Sequence, residues 1–148
     1  MALKDQIQQD TKDALRSGDK DRLSVLRMAL AAIKQREVDE RADMADPEIT
    51  AIIEKMVKQR RESVAQYEAG GRQDLADKEA AEIEILRTYL PEPMADAELE
   101  DLVAELVAET GAASVKDMGR VMGLLKQRAQ GRVDMGAASA RVRAALGA

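Results

Sequence analysis

An all-α chain is what this sequence predicts, and three observations predict it. Charged residues make up 34% of 148 positions and apolar ones 45%, with three prolines and nine glycines, so strong helix formers fill most of the chain. Apolar side chains recur at spacings of three and four, the period of a helix that buries one stripe. No run of β-branched residues alternates for long enough to make a sheet. The length suits one domain of common size or two small helical units.

The first helix is expected over Ala2 to Ser17, with Leu3, Ile7, Ala14 and Leu15 on its apolar side and Gly18 closing it. The second runs from Asp19 to about Ala45, where Leu23, Leu26, Leu30 and Ile33 keep a 3, 4, 3 spacing and the charged stretch Asp39 to Ala45 frays. Asp46-Pro47-Glu48 starts the third with a capping acceptor, a proline at the first helical position and an acid in the first turn. Ile49, Ile52, Ile53, Met56, Val57 and Val64 form its apolar face, and Gly70-Gly71 ends it. The fourth, Arg72 to Leu90, turns Leu75, Ile83, Leu86 and Leu90 to the same core, with Ile85 and Tyr89 widening the stripe. Short turns between four helices predict antiparallel hairpins over residues 1–90.

Leu90-Pro91-Glu92-Pro93 cannot continue a helix, because proline restricts its predecessor and lacks the amide donor, so residues 91–95 form a linker. Residues 96–148 then make a three-helix bundle that is marginal alone. Its helices are Asp96 to Thr110, with Leu99, Leu102, Val103, Leu106 and Val107 on one face, then Ser114 to Gln130, then Asp134 to Leu146. Ser114-x-x-Asp117 reads as a capping box, Asp134 as the N-cap of the last helix and Gly131 as a left-handed helix end. Gly119 and Gly123 share one helical face and cost roughly 1 kcal/mol each relative to alanine. Close approach of a neighbouring helix or of an RNA backbone would offset that cost. Met118 and Met122 beside them suit a core or an adaptable contact surface.

Charge divides the chain unevenly. The net charge is -5, yet Ala112 to Ala148 holds seven cations (Lys116, Arg120, Lys126, Arg128, Arg132, Arg141 and Arg143) against Asp117 and Asp134. Just upstream, Asp96 to Glu109 carries six acids and no base. Clustered cations on an acidic protein suit a polyanion, since counterion release rewards clustering. The competing arrangement is neutralisation by the acidic helix, which would leave ion pairs of little energetic weight. Lys55, Lys58, Arg60 and Arg61 either extend a basic surface or line a solvated helix face.

Absence of cysteine removes disulfides, thiolate zinc sites and thiol nucleophiles, and absence of histidine removes the side chain that titrates unaided near neutrality. There is no Walker-type phosphate loop. Neighbouring carboxylates such as Glu79 with Glu82 and Glu100 with Asp101 read as solvated helix faces. No catalytic residue, metal ligand or cofactor is expected. With Tyr67 and Tyr89 as the full aromatic complement, stacking on unpaired bases is not expected either. No stretch reaches the roughly 18 apolar residues of a membrane span and the amino terminus lacks a signal core, so the expected location is the cytoplasm.

Several short segments, in order along nearly the whole chain, carry a resemblance. They are Leu26-Arg27, Arg60-Arg61-Glu62-Ser63, Gly71-Arg72-Gln73-Asp74-Leu75 with Lys78-Glu79, then Glu82, Tyr89-Leu90-Pro91, Asp117-Met118-Gly119-Arg120-Val121-Met122 and Gly131-Arg132-Val133-Asp134. In these the chain resembles the YqeY-like family, whose carboxy-terminal module (the GatB/YqeY domain) is shared with the tail of the B subunit of the glutamyl/aspartyl-tRNA amidotransferase. The chain departs from the family pattern after Gly131-Arg132, where Val133, Met135 and Gly136 replace a small residue before the aspartate and glycine-lysine after it. The resemblance implies a two-part helical fold, a tail related to a tRNA-contacting domain, and a family description as a carbon-nitrogen ligase with glutamine as amido donor.

The expected function is therefore that of a non-catalytic accessory protein binding tRNA through the seven tail cations, by phosphate contacts and folded shape. One alternative is ligase activity of amidotransferase type. Another is a docking module for an amidotransferase subunit or an aminoacyl-tRNA synthetase.

Overall fold

The computed structural model describes residues 2–147, and among these all regular structure is helical. The chain divides into two compact units, one ending at Leu90 and the other beginning at Pro91. The first contains α1 (Leu3–Ser17), α2 (Lys20–Glu40), α3 (Asp46–Ala69) and α4 (Gln73–Arg87). The second contains α5 (Asp96–Thr110), a 3-10 turn (Val115–Asp117), α6 (Met118–Ala129) and α7 (Met135–Ala145).

Two hairpins build the first unit, α1 against α2 and α3 against α4, with α2 also touching α3 and α4. Ile7, Leu26, Ile33, Ile49, Ile53 and Leu86 are fully buried between them. Each such side chain stabilises the fold by about 1.5–3 kcal/mol relative to exposure. Gly18 closes α1 in the left-handed region, as its place after Ser17 predicts. Leu15 does not join the core: it is 59% exposed, and Ala14 holds the buried position beside it.

Glu40 ends α2, five residues before the expected limit, and Arg41 adopts φ 53° there. The N-cap of α3 is Ala45, so Asp46 is already helical and its carboxylate is free for another task. It accepts the Leu3 amide at 2.9 Å, capping a helix 43 residues away in sequence. Glu48 accepts the Ala45 amide at 2.8 Å and supplies the local cap instead.

Three polar contacts sit at the edges of this core. Lys4 bonds both carboxylate oxygens of Glu37 at 2.9 Å, and the Glu37 side chain is 8% exposed. The Lys4 hydrogen bond holds the Glu37 carboxyl below the ordinary glutamate value. Arg60 and Glu82, each 12% exposed, approach to 3.9 Å between α3 and α4. Burial pushes the Glu82 carboxyl up. Glu82 is thus no part of a solvated acidic face. Tyr89 donates to Asp10 at 2.6 Å and accepts from Arg22 at 3.4 Å, so the residue two beyond α4 ties down α1 and α2.

In the second unit Leu99, Val103 and Leu106 of α5 meet Val121 and Leu125 of α6 and Val142 of α7. Ala129 and Ala138 are fully buried, which lets α6 and α7 approach closely where the chain turns. Ser114 accepts the Lys116 amide, and Asp117 accepts the amides of Ala113 and Ser114, completing the capping box at the 3-10 turn. Gly131 takes φ 80° and Asp134 accepts the Ala137 amide, so both act as the folding signals their positions suggest. The Met94 amide reaches Arg132 O at 2.8 Å, anchoring the start of the unit to the α6–α7 junction.

Candidate nucleic-acid interface

The seven tail cations fall into two groups. Arg128, Arg132 and Arg141 face α5 and are paired with it. Arg128 meets Glu105 at 3.4 Å and Glu109 at 2.9 Å; Arg141 meets Asp96 at 2.9 Å and Glu100 at 3.1 Å. Arg132 forms a two-pronged pair with Glu98 at 2.9 and 3.0 Å and donates its Nε to Glu92 O at 2.9 Å. That pairing holds the Glu98 carboxyl below the ordinary value. Five of the six acids of α5 are engaged, and because their carboxylates are exposed each pair adds little to stability. These arginines clamp α6 and α7 to α5, the arrangement in which the acidic helix neutralises its own neighbours.

Lys116, Arg120, Lys126 and Arg143 are exposed and have no ion pair among the described residues. Helical geometry explains the division. Val121, Leu125 and Ala129 set the buried side of α6, and at 100° per residue Arg128 falls on its flank whereas Arg120 and Lys126 fall on the outer half. On α7, Arg143 and Arg141 lie about 160° apart around the axis, so one reaches α5 and the other cannot. Asp117 lies in the field of Arg120, but its Oδ2 already accepts two backbone amides, which hold its carboxyl low.

Gly119 and Gly123 occupy that same outer half of α6. Both are exposed, and a Cβ built at either would meet nothing within 4 Å. Neither is therefore there to admit another helix of its own unit. Met118 and Met122 turn inward and pack against the core, so they leave the face rather than form it. What remains is a strip of bare backbone bordered by Arg120, Lys126 and the exposed Gln127. In the first unit Lys55, Lys58 and Arg61 are exposed, while Arg60 is drawn into the pair with Glu82.

Among the described residues there is no group of three acidic side chains placed to hold a metal ion, and no helix is long and apolar enough to cross a membrane. The Arg60–Glu82 pair escapes sequence reading because it depends on two helices meeting; the signal available was the presence of both residues in the segments that carry the family resemblance.

Comparison with known proteins gives a coherent result. The family described as Yqey-like protein matches residues 4–146. Among curated proteins, altered inheritance of mitochondria protein 41, mitochondrial, of Pyrenophora tritici-repentis is 30% identical over 147 residues, 96% of this chain and 80% of that protein. The protein of the same name from Vanderwaltozyma polyspora is 29% identical over 119 residues, 76% of this chain and 64% of its own length. The one from Eremothecium gossypii is 36% identical over 94 residues, 62% and 51% of the two lengths. The matched part thus spans from about half to four fifths of these relatives.

Proposed function

The chain belongs to the YqeY-like family, and from that premise we propose that it is a non-catalytic accessory protein whose tail unit binds tRNA through the outer face of α6. Lys116, Arg120, Lys126 and Arg143 make the phosphate contacts, and Gly119 and Gly123 let a ribose-phosphate strand lie close to the helix. The supporting observation is the division of the tail cations: three arginines consume five carboxylates, and the four others stand exposed without a partner among the described residues. The second unit as a whole has nine acids and seven bases. Its capacity for a polyanion therefore lies in how charge is placed, not in the total. Two tyrosines, both in the first unit, leave recognition to phosphates and folded shape.

Ligase chemistry with glutamine as amido donor is the second reading of the family relationship. That reading requires release of ammonia from glutamine and activation of the acceptor carboxylate. The accessory reading assigns it neither step.

Electrophoretic shift of unfractionated tRNA tests the proposal. About four phosphate contacts give a slope near -3.6 in log K against log salt, so affinity falls roughly a hundredfold between about 50 and 200 mM salt. The double reversal R120E/K126E abolishes the shift. Absence of a shift with the unaltered chain at low salt sinks the proposal.

A further inference from the structure

The second helix has two useful faces, of which the core consumes one. Val25, Leu26, Ala29 and Ile33 are buried. Turning the helix by 100° per residue places Lys20, Arg27 and Lys34 on the opposite side, in a line at intervals of seven residues or about 10 Å. Ser24, Ala31 and Val38 share that line at the same interval, displaced by four residues. All six are exposed, and no carboxylate lies within ion-pair distance of the three cations among the described residues. Nearby cations behave otherwise, since Arg22 reaches Asp10 and Arg36 reaches Glu40.

Apolar surface is built into this side. Val38 is 58% and Met28 41% exposed. Lys20, Leu23, Ser24, Arg27, Met28 and Ala31 line a shallow depression of about 510 Å³. Met28 is held in place there: its sulfur accepts from Arg60 Nη2 at 3.5 Å, and the same guanidinium is fixed by donation to Met56 O at 3.2 Å and by Glu82.

We propose that this side of α2 docks an acidic amphipathic helix from a partner protein. Cations repeating every seven residues with small or apolar residues between them match the alternation along a two-helix seam, where charges flank a packed stripe and choose the partner. Ser24 and Ala31 let the second helix approach, Leu23, Met28 and Val38 supply the apolar contact, and Lys20, Arg27 and Lys34 select carboxylates. A phosphate backbone would leave the three apolar side chains wet, which favours protein over RNA here. A second copy is a poor occupant, because the strongly acidic helix of this chain has five of its six acids committed to Arg128, Arg132 and Arg141. This inference does not depend on the tRNA reading.

The test uses the full chain and two fluorescein-labelled peptides of about three heptads, each an amphipathic helix with leucine on one stripe, one flanked by glutamate and the other by lysine. Anisotropy should show the glutamate peptide binding at least about tenfold more tightly than its lysine twin. In K20E/R27E/K34E the preference reverses, and because the lysine peptide then gains affinity, the result cannot be assigned to misfolding. Equal affinity for the two peptides, no binding of the glutamate peptide, or binding unchanged by the triple reversal overturns the proposal. So does a finding that the triple reversal instead weakens tRNA binding or abolishes self-association.

Discussion

The two units differ in where they place the ion pairs that join one helix to another. The unit up to Leu90 takes charge inward: Glu37, Arg60 and Glu82 are all less than 13% exposed, and Tyr89 is anchored to Asp10 beneath it. The unit from Pro91 keeps charge on the rim, with carboxylates of α5 that are 48–88% exposed. Inward pairs fix which helices meet, since a displaced partner leaves a buried charge alone. Rim pairs add little energy but decide which cations stay available to a ligand. The difference locates stability in one unit and selectivity of surface charge in the other.

The contrast breaks first in the small core. Leu106→Ala removes a fully buried side chain from the second unit and costs about 2–5 kcal/mol, enough to unfold a bundle of that size by itself. Denaturation followed by circular dichroism should then show α5, α6 and α7 melting before the helices of the first unit. Gly119→Ala and Gly123→Ala act in the other direction, each stabilising the second unit by about 0.5–1 kcal/mol, because the added methyl meets nothing. Urea midpoints measure that gain, and a simultaneous fall in tRNA affinity would sharpen the reading of the bare strip. Arg128→Ala, on the rim, should cost about 0.2–1 kcal/mol by the same measurement.

Acid titration separates the two inward carboxylates by sign. The folded Glu37 carboxyl lies below its unfolded value, so its stabilising contribution is present above the unfolded value and is lost as pH falls through the folded one. The folded Glu82 carboxyl lies above its unfolded value, so its cost is full above the folded value and disappears as pH falls below the unfolded one. Glu37→Gln should therefore differ from the unaltered chain most at neutral pH and least in strong acid. Glu82→Gln should flatten the stability profile just above the ordinary glutamate range.

Much of the fold was legible because its determinants are local. Pro91 and Pro93 keep the fourth helix from running on, Asp134 caps the helix that follows it, and Ser114 with Asp117 closes a turn within four residues. The exposure of Leu15, the burial of Glu37 and the reach of Asp46 to Leu3 depend on which helices meet, and no local pattern encodes that. The tail cations fall between these cases. Their clustering is visible as composition, and the phase of Arg128 against Leu125 hints that it turns aside from Arg120. Pairing with α5, however, follows only when the three helices close around Leu106.

Paired and unpaired cations give the most direct test, through the salt dependence of tRNA affinity. Neutralising Arg120 and Lys126 to alanine should lower the slope of log K against log salt by about 1.8, roughly 0.9 for each lost phosphate contact. Neutralising Arg128 and Arg141 should leave that slope where it was. Equal losses from the two double variants, or a loss confined to Arg128 and Arg141, would contradict the assignment of the outer face of α6 to tRNA.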